Sequence, residues 1–382
     1  MQKFLIASLF LSVLIFFNAC GNDTQNADET KTGAKEVNAF KSQEYKRVRI
    51  IEGKSVSQYV GKPGRLMIVS TNGIYTKEVA HLFDSIFGKE VRPYYPRHPY
   101  FEIFQRTPDE FEEKSRRLRN VVELNVSDKV EKGKPRMEVY KNYYAETQLY
   151  TKIYAHDINE FYAFLQDELP SLFRLYDTQE WKREFYRHRK SKQKITNDKL
   201  EKKFGIRLQL PKKMRYESID GQYANILLPD RSRQMEMKTT GTYSSTKANF
   251  IQSGIMIWQY PFEDSSQLTP AKLMEERDTI LKYHAKHEVP GVYMGTQDHP
   301  AVIPEYEKLR INGVEGYQFR GLYKFTGRLE PSGGKFWSFH FRHPKRNTII
   351  AISGYLDAPP TMSISFDINR IRAIIYSLKI TD

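Results

Sequence analysis

Residues 314–355 read VEGYQFRGLYKFTGRLEPSGGKFWSFHFRHPKRNTIIAISGY. Three strand-like runs, 314–325, 336–341 and 348–355, follow one another here with Gly, Pro, Ser and Asn between them and no helical periodicity. Further strand-like runs stand at 206–210, 223–228 and 250–260. Strands that neighbour each other without an intervening helix argue against a doubly wound parallel sheet. The expected fold class is α+β, with antiparallel or mixed sheets and packed amphipathic helices in two α/β subdomains.

Upstream the pattern alternates. GRLMIVS at 64–70 is a short apolar run that opens on Gly and closes on Ser70, Thr71, Asn72 and Gly73, as a buried strand and a turn would. Thr76 is positioned to cap a helix whose Val79, Leu82, Phe83 and Phe87 share one face. Thr107-Pro108-Asp109-Glu110 has the form of a capping box with Pro at the first helical position, so a helix is expected there. Strand-like runs at 120–126, 137–144 and 149–155 precede the longest helical stretch. Asp157 opens that stretch, and Phe161, Phe164, Leu165, Leu169, Leu172, Phe173 and Tyr176 recur at three- and four-residue spacing. Pro170 is expected to kink or divide it. Helices are also expected at about 270–287 and 363–378.

The chain has 382 residues, with 60 Lys plus Arg against 46 Asp plus Glu and a net charge of +14. Its 25 Tyr, 23 Phe and 3 Trp are core-forming side chains in which disordered chains are poor, so most of it folds. With 21 Gly and 18 Pro, a collagen-like or low-complexity reading is excluded. The single Cys excludes an intrachain disulfide and any multi-Cys zinc or iron–sulfur site.

That Cys sits where the only long apolar run ends. Residues 4–17, FLIASLFLSVLIFF, have the length of a signal-peptide core and fall short of a bilayer span. Asn18-Ala19-Cys20-Gly21 then resembles a bacterial lipobox. The expected organisation is a lipoprotein signal peptide at 1–19, lipidation at Cys20, a flexible tether at 20–44, an N-terminal α/β subdomain at 45–204 ending in a basic helix, and a C-terminal α+β subdomain at 205–382. The tether is read from the polar composition of the residues after Cys20. The expected location is the cell envelope, at the outer membrane facing the periplasm, with the membrane as a partner through Cys20.

Several phrases in order resemble the domain of unknown function family 4837, envelope lipoproteins of the Bacteroidota. They are GRLMIV at 64–69, LEKKFGIRLQLP at 200–211, SGIMIWQYPF at 253–262, ERDTILKYH at 276–284, VPGVYMGT at 289–296, FRGLYKF at 319–325, GGKFWSF at 333–339 and GYLDAPP at 354–360. Their order covers nearly the whole mature chain. RLEPSGGKFW and TTGTYSSTKAN depart from the family pattern. The resemblance implies a lipoprotein of unassigned activity and carries no catalytic residues.

Candidate chemistry is sparse. His284 and His287 are the metal candidates, three apart at a helix end with Asp298 or His299 near in sequence, yet no HExxH surrounds them. His340 and His343 have odd spacing in a strand, which sends them to opposite faces. Trp337, Phe339 and Phe341 then read as a buried face and Ser338, His340 and Arg342 as a wetter one. Ser191 and Lys194 match S-x-x-K by chance within a basic run. No G-x-S-x-G, P-loop or G-x-G-x-x-G is present. Arg320 is the candidate ligand-binding residue, an anion contact among glycines and aromatics.

From Lys182 to Lys203 ten Lys or Arg stand against Glu184, Asp198 and Glu201. A solvated helix face with a charged linker is one reading, and contact with anionic lipid or an envelope protein is the other. Export excludes nucleic acid. The function these observations favour is a non-enzymatic binding or assembly role on the periplasmic side, without a cofactor. The alternative is an envelope hydrolase with a dispersed active site, with or without a metal.

Overall fold

The computed structural model describes residues 34–39, 49–55, 57–191, 193–219, 221–237, 245–327 and 332–381. Cys20, the 1–19 segment and residues 20–33 and 40–44 of the expected tether lie outside them. Residues 35–382 cluster as one compact unit.

The described chain begins with β1 (Lys35–Val37) and β2 (Arg49–Glu52). The apolar run after Gly64 forms β3 (Arg65–Val69), buried from Leu66 onward. Thr76 caps α1 (Lys77–Ile86), its Oγ1 accepting from the Val79 N–H at 3.4 Å, and Val79 and Phe83 turn inward. After β4 (Glu102–Arg106), Thr107 starts only one 3₁₀ turn at Pro108–Glu110. Glu110 Oε2 accepts the Thr107 N–H at 3.1 Å, and the four-residue α2 (Glu113–Arg116) follows. The helix expected there is thus reduced to two short pieces, because the turn buries no apolar face that would extend it.

Three strands, β5 (Asn120–Val126), β6 (Arg136–Lys141) and β7 (Leu149–Ala155), complete a six-stranded mixed sheet in the order β2-β6-β7-β5-β3-β4. Only β6 and β7 pair antiparallel in it. Asp157 caps α3 (Ile158–Arg189), accepting from the Asn159 and Glu160 amides at 3.0 and 2.9 Å. This helix runs through Pro170 without division, so of the two outcomes expected from sequence, a kink or a break, the break does not occur. Proline inside a helix costs about 3 kcal/mol, and burial of Phe161, Leu165, Leu169, Leu172 and Phe173 on both sides of it against the sheet core offsets that cost.

The second half opens with α4 (Lys194–Phe204), closed by Gly205 at φ +66. Then come β8 (Ile206–Arg207), β9 (Arg215–Ile219), β10 (Tyr223–Leu227), β11 (Arg231–Met237), β12 (Ser245–Pro261), α5 (Pro270–His284), β13 (Tyr293–Thr296) and β14 (Glu305–Ile311). The chain ends in β15 (Val314–Thr326), β16 (Gly333–Arg342), β17 (Thr348–Asp357), α6 (Ser365–Tyr376) and β18 (Lys379–Ile380). The three runs at 314–355 are the consecutive antiparallel strands β15-β16-β17 of a ten-stranded sheet. Its path is β1-β14-β15-β16-β17-β12-β10-β9, and β1 pairs parallel with β14. Residues 35–37 are therefore sheet, and the flexible tether expected through residue 44 is corrected there. The backbone groups of Lys35, Glu36 and Val37 pair with the edge offered by Leu309, Arg310 and Ile311.

Helix α6 covers one face of this sheet, with Ile371, Ile374 and Ile375 against Ile255, Ile257, Phe339 and Ile352. Helix α5 covers the other, with Leu273 and Leu281 against Met256, Trp258, Phe336 and Ile349. Both faces of β16 are consequently buried. Ser338 and His340, expected on a wetter face, are as enclosed as Phe339. Gly354 on β17 lies under α6, where an added Cβ would meet Ile371 Cγ2 at 2.2 Å. Gly354→Ala is expected to cost about 1–3 kcal/mol by overpacking. A urea midpoint equal to that of the wild type would refute the close approach.

Candidate functional site

The residues singled out from sequence are held by the fold in separate places. His284 ends α5 with its ring stacked on Tyr223 at 4.6 Å. His287 lies past the helix, its Nδ1 accepting from the Val289 N–H at 3.1 Å and its ring against Phe325. Asp298 pairs with Lys324, and His299 Nδ1 accepts the Ala301 N–H. Among the described residues no group of three His, Cys, Asp or Glu could hold a metal ion. Arg320 donates to Glu305 at 2.9 Å and to the Tyr100 hydroxyl at 2.8 Å, with its guanidinium 5.4 Å from the Trp337 ring centre. The anion it meets is thus a side chain of its own sheet.

The basic run divides into a buried part and an exposed part. Lys182, Arg183 and His188 are buried on α3. Arg183 donates to Glu180 at 2.6 Å and to the Arg119 carbonyl at 2.9 Å. Glu180 also receives Arg119 at 3.2 Å, the Asn120 amide at 2.6 Å and the Gly64 N–H at 3.3 Å. Burial opposes its charge, while Arg119 and Arg183 hold its carboxyl below the usual range. The Arg183 guanidinium itself is pushed down to about 10, chiefly by burial. One helical turn from Glu180, Asp177 takes a bidentate pair from Arg372 of α6 at 2.7 and 2.6 Å. These ion pairs join α3 to the small sheet and to α6.

Beside them, His98 Nε2 and Ser365 Oγ are 3.2 Å apart, the distance of a nucleophile and its base. Burial, then Lys335, pushes the imidazole down to about 4. Asp177 and Glu180 line the same cavity, which measures about 20 Å³, room for a single water. Both carboxylates are committed to guanidinium groups and neither orients His98. The pair ties the loop before β4 to the start of α6. Sequence reasoning missed it because 267 residues separate its members. The i, i+3 pair Glu180–Arg183 was the one local signal of the seam.

The exposed part forms a cationic surface. On α4, Thr196, Leu200 and Phe204 point inward, leaving Lys194, Ile195, Lys202 and Lys203 outward. Ile195 is 72% exposed, unusual for a branched apolar side chain. Arg189 and Lys190 at the end of α3 and Lys212, Lys213 and Arg215 before and within β9 are exposed as well. The segment before β9 is tied to α4, because Gln193 donates to the Pro211 carbonyl at 3.2 Å and Lys199 Nζ to the Tyr216 hydroxyl at 2.5 Å. Asp198 and Glu201 turn to Arg207 and are neutralised within the fold. The surface therefore presents Lys and Arg around Ile195 with the acids paired away.

Comparison with known proteins gives families without an assigned activity. Residues 192–377 match the Domain of unknown function (DUF4837), and residues 60–188 match a second one, the Domain of unknown function (DUF8532). The resemblance expected over nearly the whole mature chain is thus confined to its second half, and the GRLMIV phrase falls in the other domain. No curated protein matches the chain. Among solved structures, the Saccharomyces cerevisiae Ran-binding protein Mog1p is 8% identical with a TM-score of 0.29, covering 47% of this chain and 91% of that one. A point mutant of protein Mog1 is 10% identical with a TM-score of 0.28, over 47% and 92%. Residues 192–377, which hold α4, the ten-stranded sheet from β9 onward and nearly all phrases of the resemblance, belong to the DUF4837 family.

Proposed function

We propose that the chain is a lipid-anchored protein of the cell envelope that binds rather than turns over its partner, held at the outer membrane by Cys20 and facing the periplasm. Its folded body docks on anionic lipid through the end of α3, α4 and the segment leading into β9. The observation that carries this reading is the outward set Arg189, Lys190, Lys194, Lys202, Lys203, Lys212 and Lys213 around the exposed Ile195. Each Lys or Arg near an anionic surface contributes about 1 kcal/mol, and an exposed branched side chain adds apolar burial at the headgroup boundary. No helix among the described residues is long and apolar enough to cross a membrane. The anchor and this surface would together supply the two signals that stable attachment needs.

The test is co-sedimentation of the unacylated chain from residue 20 onward, carrying Cys20→Ser and lacking the apolar 1–19 segment, with phosphatidylcholine vesicles with and without phosphatidylglycerol. Binding is expected only to the anionic vesicles and is expected to weaken at high salt. Lys194→Glu, Lys202→Glu and Lys203→Glu together should lower the partition coefficient at least 100-fold, from about 1 kcal/mol per lost cation. Equal partition of wild type and triple variant would remove the docking surface. Equal acyl labelling of Cys20→Ser and wild type would remove the anchor.

A further inference from the structure

A second concave site lies on the α5 face of the ten-stranded sheet, beyond the start of that helix. Its volume is about 150 Å³, comparable with an engineered cavity that admits benzene, so one six-membered ring fits. Three lining residues form a row across three strands. Lys308 on β14 faces Tyr317 on β15, and Tyr317 faces His340 on β16. Leu268 supplies an apolar wall, and Glu315 and Arg342 complete the polar lining.

The polar groups are ordered before any ligand arrives. Glu315 receives Lys308 at 2.6 Å and Arg310 at 3.1 Å, and these hydrogen bonds hold it ionised below the usual carboxyl range. The Arg342 guanidinium stands 4.0 Å from the centre of the Phe262 ring, which sets its plane. His340 is 1% exposed, and its Nε2 meets Ser338 Oγ at 3.1 Å. Among the described residues its Nδ1, itself enclosed, has no hydrogen-bond partner. Burial and the nearby Arg277 keep this ring neutral at physiological pH. Which nitrogen carries the proton depends on the Ser338 hydroxyl, so Nδ1 is a donor in one tautomer and an acceptor in the other.

The geometry points to a binding site for a hydroxylated six-membered ring bearing one carboxylate, a uronic acid, with the carboxylate on Arg342, ring hydroxyls on Glu315 and Lys308, and the enclosed His340 ring forming the floor. Arg342 offers a carboxylate the paired N–H donors that such groups prefer. Glu315 accepts from hydroxyls and repels a second carboxylate, which limits the ligand to one. Tyr317 provides the surface for the ring's C–H face. This site is independent of the α4 docking surface and shares no residue with it.

Calorimetric titration of the unacylated chain with glucuronate, glucose and a galacturonate tetramer tests the assignment. Saturable binding of glucuronate is expected, at least tenfold tighter than glucose. Arg342→Gln should weaken glucuronate at least tenfold, leave glucose unchanged and keep the melting temperature of the wild type. In the wild-type protein, the ¹⁵N resonances of the His340 imidazole should move on adding glucuronate. Binding of the tetramer but not of free glucuronate identifies a polymer end as the source and still supports the site. Glucose binding as tightly as glucuronate would overturn the acidic class while leaving the groove. No saturable binding, or glucuronate binding indifferent to Arg342→Gln with a still His340 signal, would overturn the site itself.

Discussion

Glu180→Ala is expected to destabilise the protein by about 3–5 kcal/mol, the range for removing one partner of a buried ion pair. The carboxylate is 2% exposed and receives two guanidinium groups, a side-chain amide and a backbone N–H. Its removal leaves Arg119 and Arg183 facing each other in a medium with little water, each 3% exposed. The Asn120 amide and the Gly64 N–H lose an acceptor as well, and a buried donor left unmade costs about 1–3 kcal/mol. By contrast Glu102→Ala, which removes the exposed pair of Arg65 with Glu102, should cost less than about 1 kcal/mol. Urea unfolding checks both, through midpoints at unchanged slope. A Glu180→Ala midpoint within error of the Glu102→Ala midpoint would refute the part given to the network. The same carboxylate sets an acid limit. Its folded pKa lies below the unfolded value, so the stability it contributes is full above about pH 4.5 and is lost as pH falls through the folded value.

The second large effect is loss of stability on mild acidification, beginning near pH 6.5. Burial, then Arg370 and Arg187, pushes His188 down to about 3. Burial, then Arg277, takes His340 to about 3, and burial, then Lys335, takes His98 to about 4. Between these values and the unfolded value of about 6.5 the unfolded chain binds the protons that the folded chain refuses. Stability is therefore full above about pH 6.5 and falls as pH drops. Each group costs up to about 1.4 kcal/mol per pH unit, so the three together cost about 6 kcal/mol at pH 5, comparable with the whole stability of an ordinary domain. Glu184, raised by burial, works in the opposite sense as it takes up a proton and offsets part of the loss. Urea midpoints at pH 7, 6 and 5 check this, and a flat line would sink it. His188→Gln should remove roughly a third of the slope, since each of the three groups contributes about equally.

The candidate sites were less legible than the fold. The exposed cations of α4 could be read because helical spacing places Lys194, Ile195 and Lys202 away from Thr196, Leu200 and Phe204. The same run misled at Lys182 and Arg183, which a charge count assigns to solvent and the fold buries beside Glu180 and Trp181. The groove at His340 was missed because its row crosses three strands, and the register that aligns Lys308, Tyr317 and His340 is not written in any local pattern. Arg320 read as a free anion ligand because Glu305, its partner, lies on the neighbouring strand 15 residues away.

What the sequence by itself determined are the features that depend on neighbours within one or two turns. The caps at Thr76 and Asp157, the left-handed stop at Gly205, the alternation of β15 to β17 and the resulting α+β class all belong here. Each rests on backbone groups satisfied within a few residues, so the amino-acid order carries the answer. The tertiary structure alone decided the rest. It carried α3 through Pro170 because flanking side chains found a sheet to cover. It closed both faces of β16 because α5 and α6 arrived from opposite sides. It also drew Glu180, Arg119 and Arg183 into one buried network, since a charge is stable out of water only where its counter-charge is delivered from elsewhere in the chain.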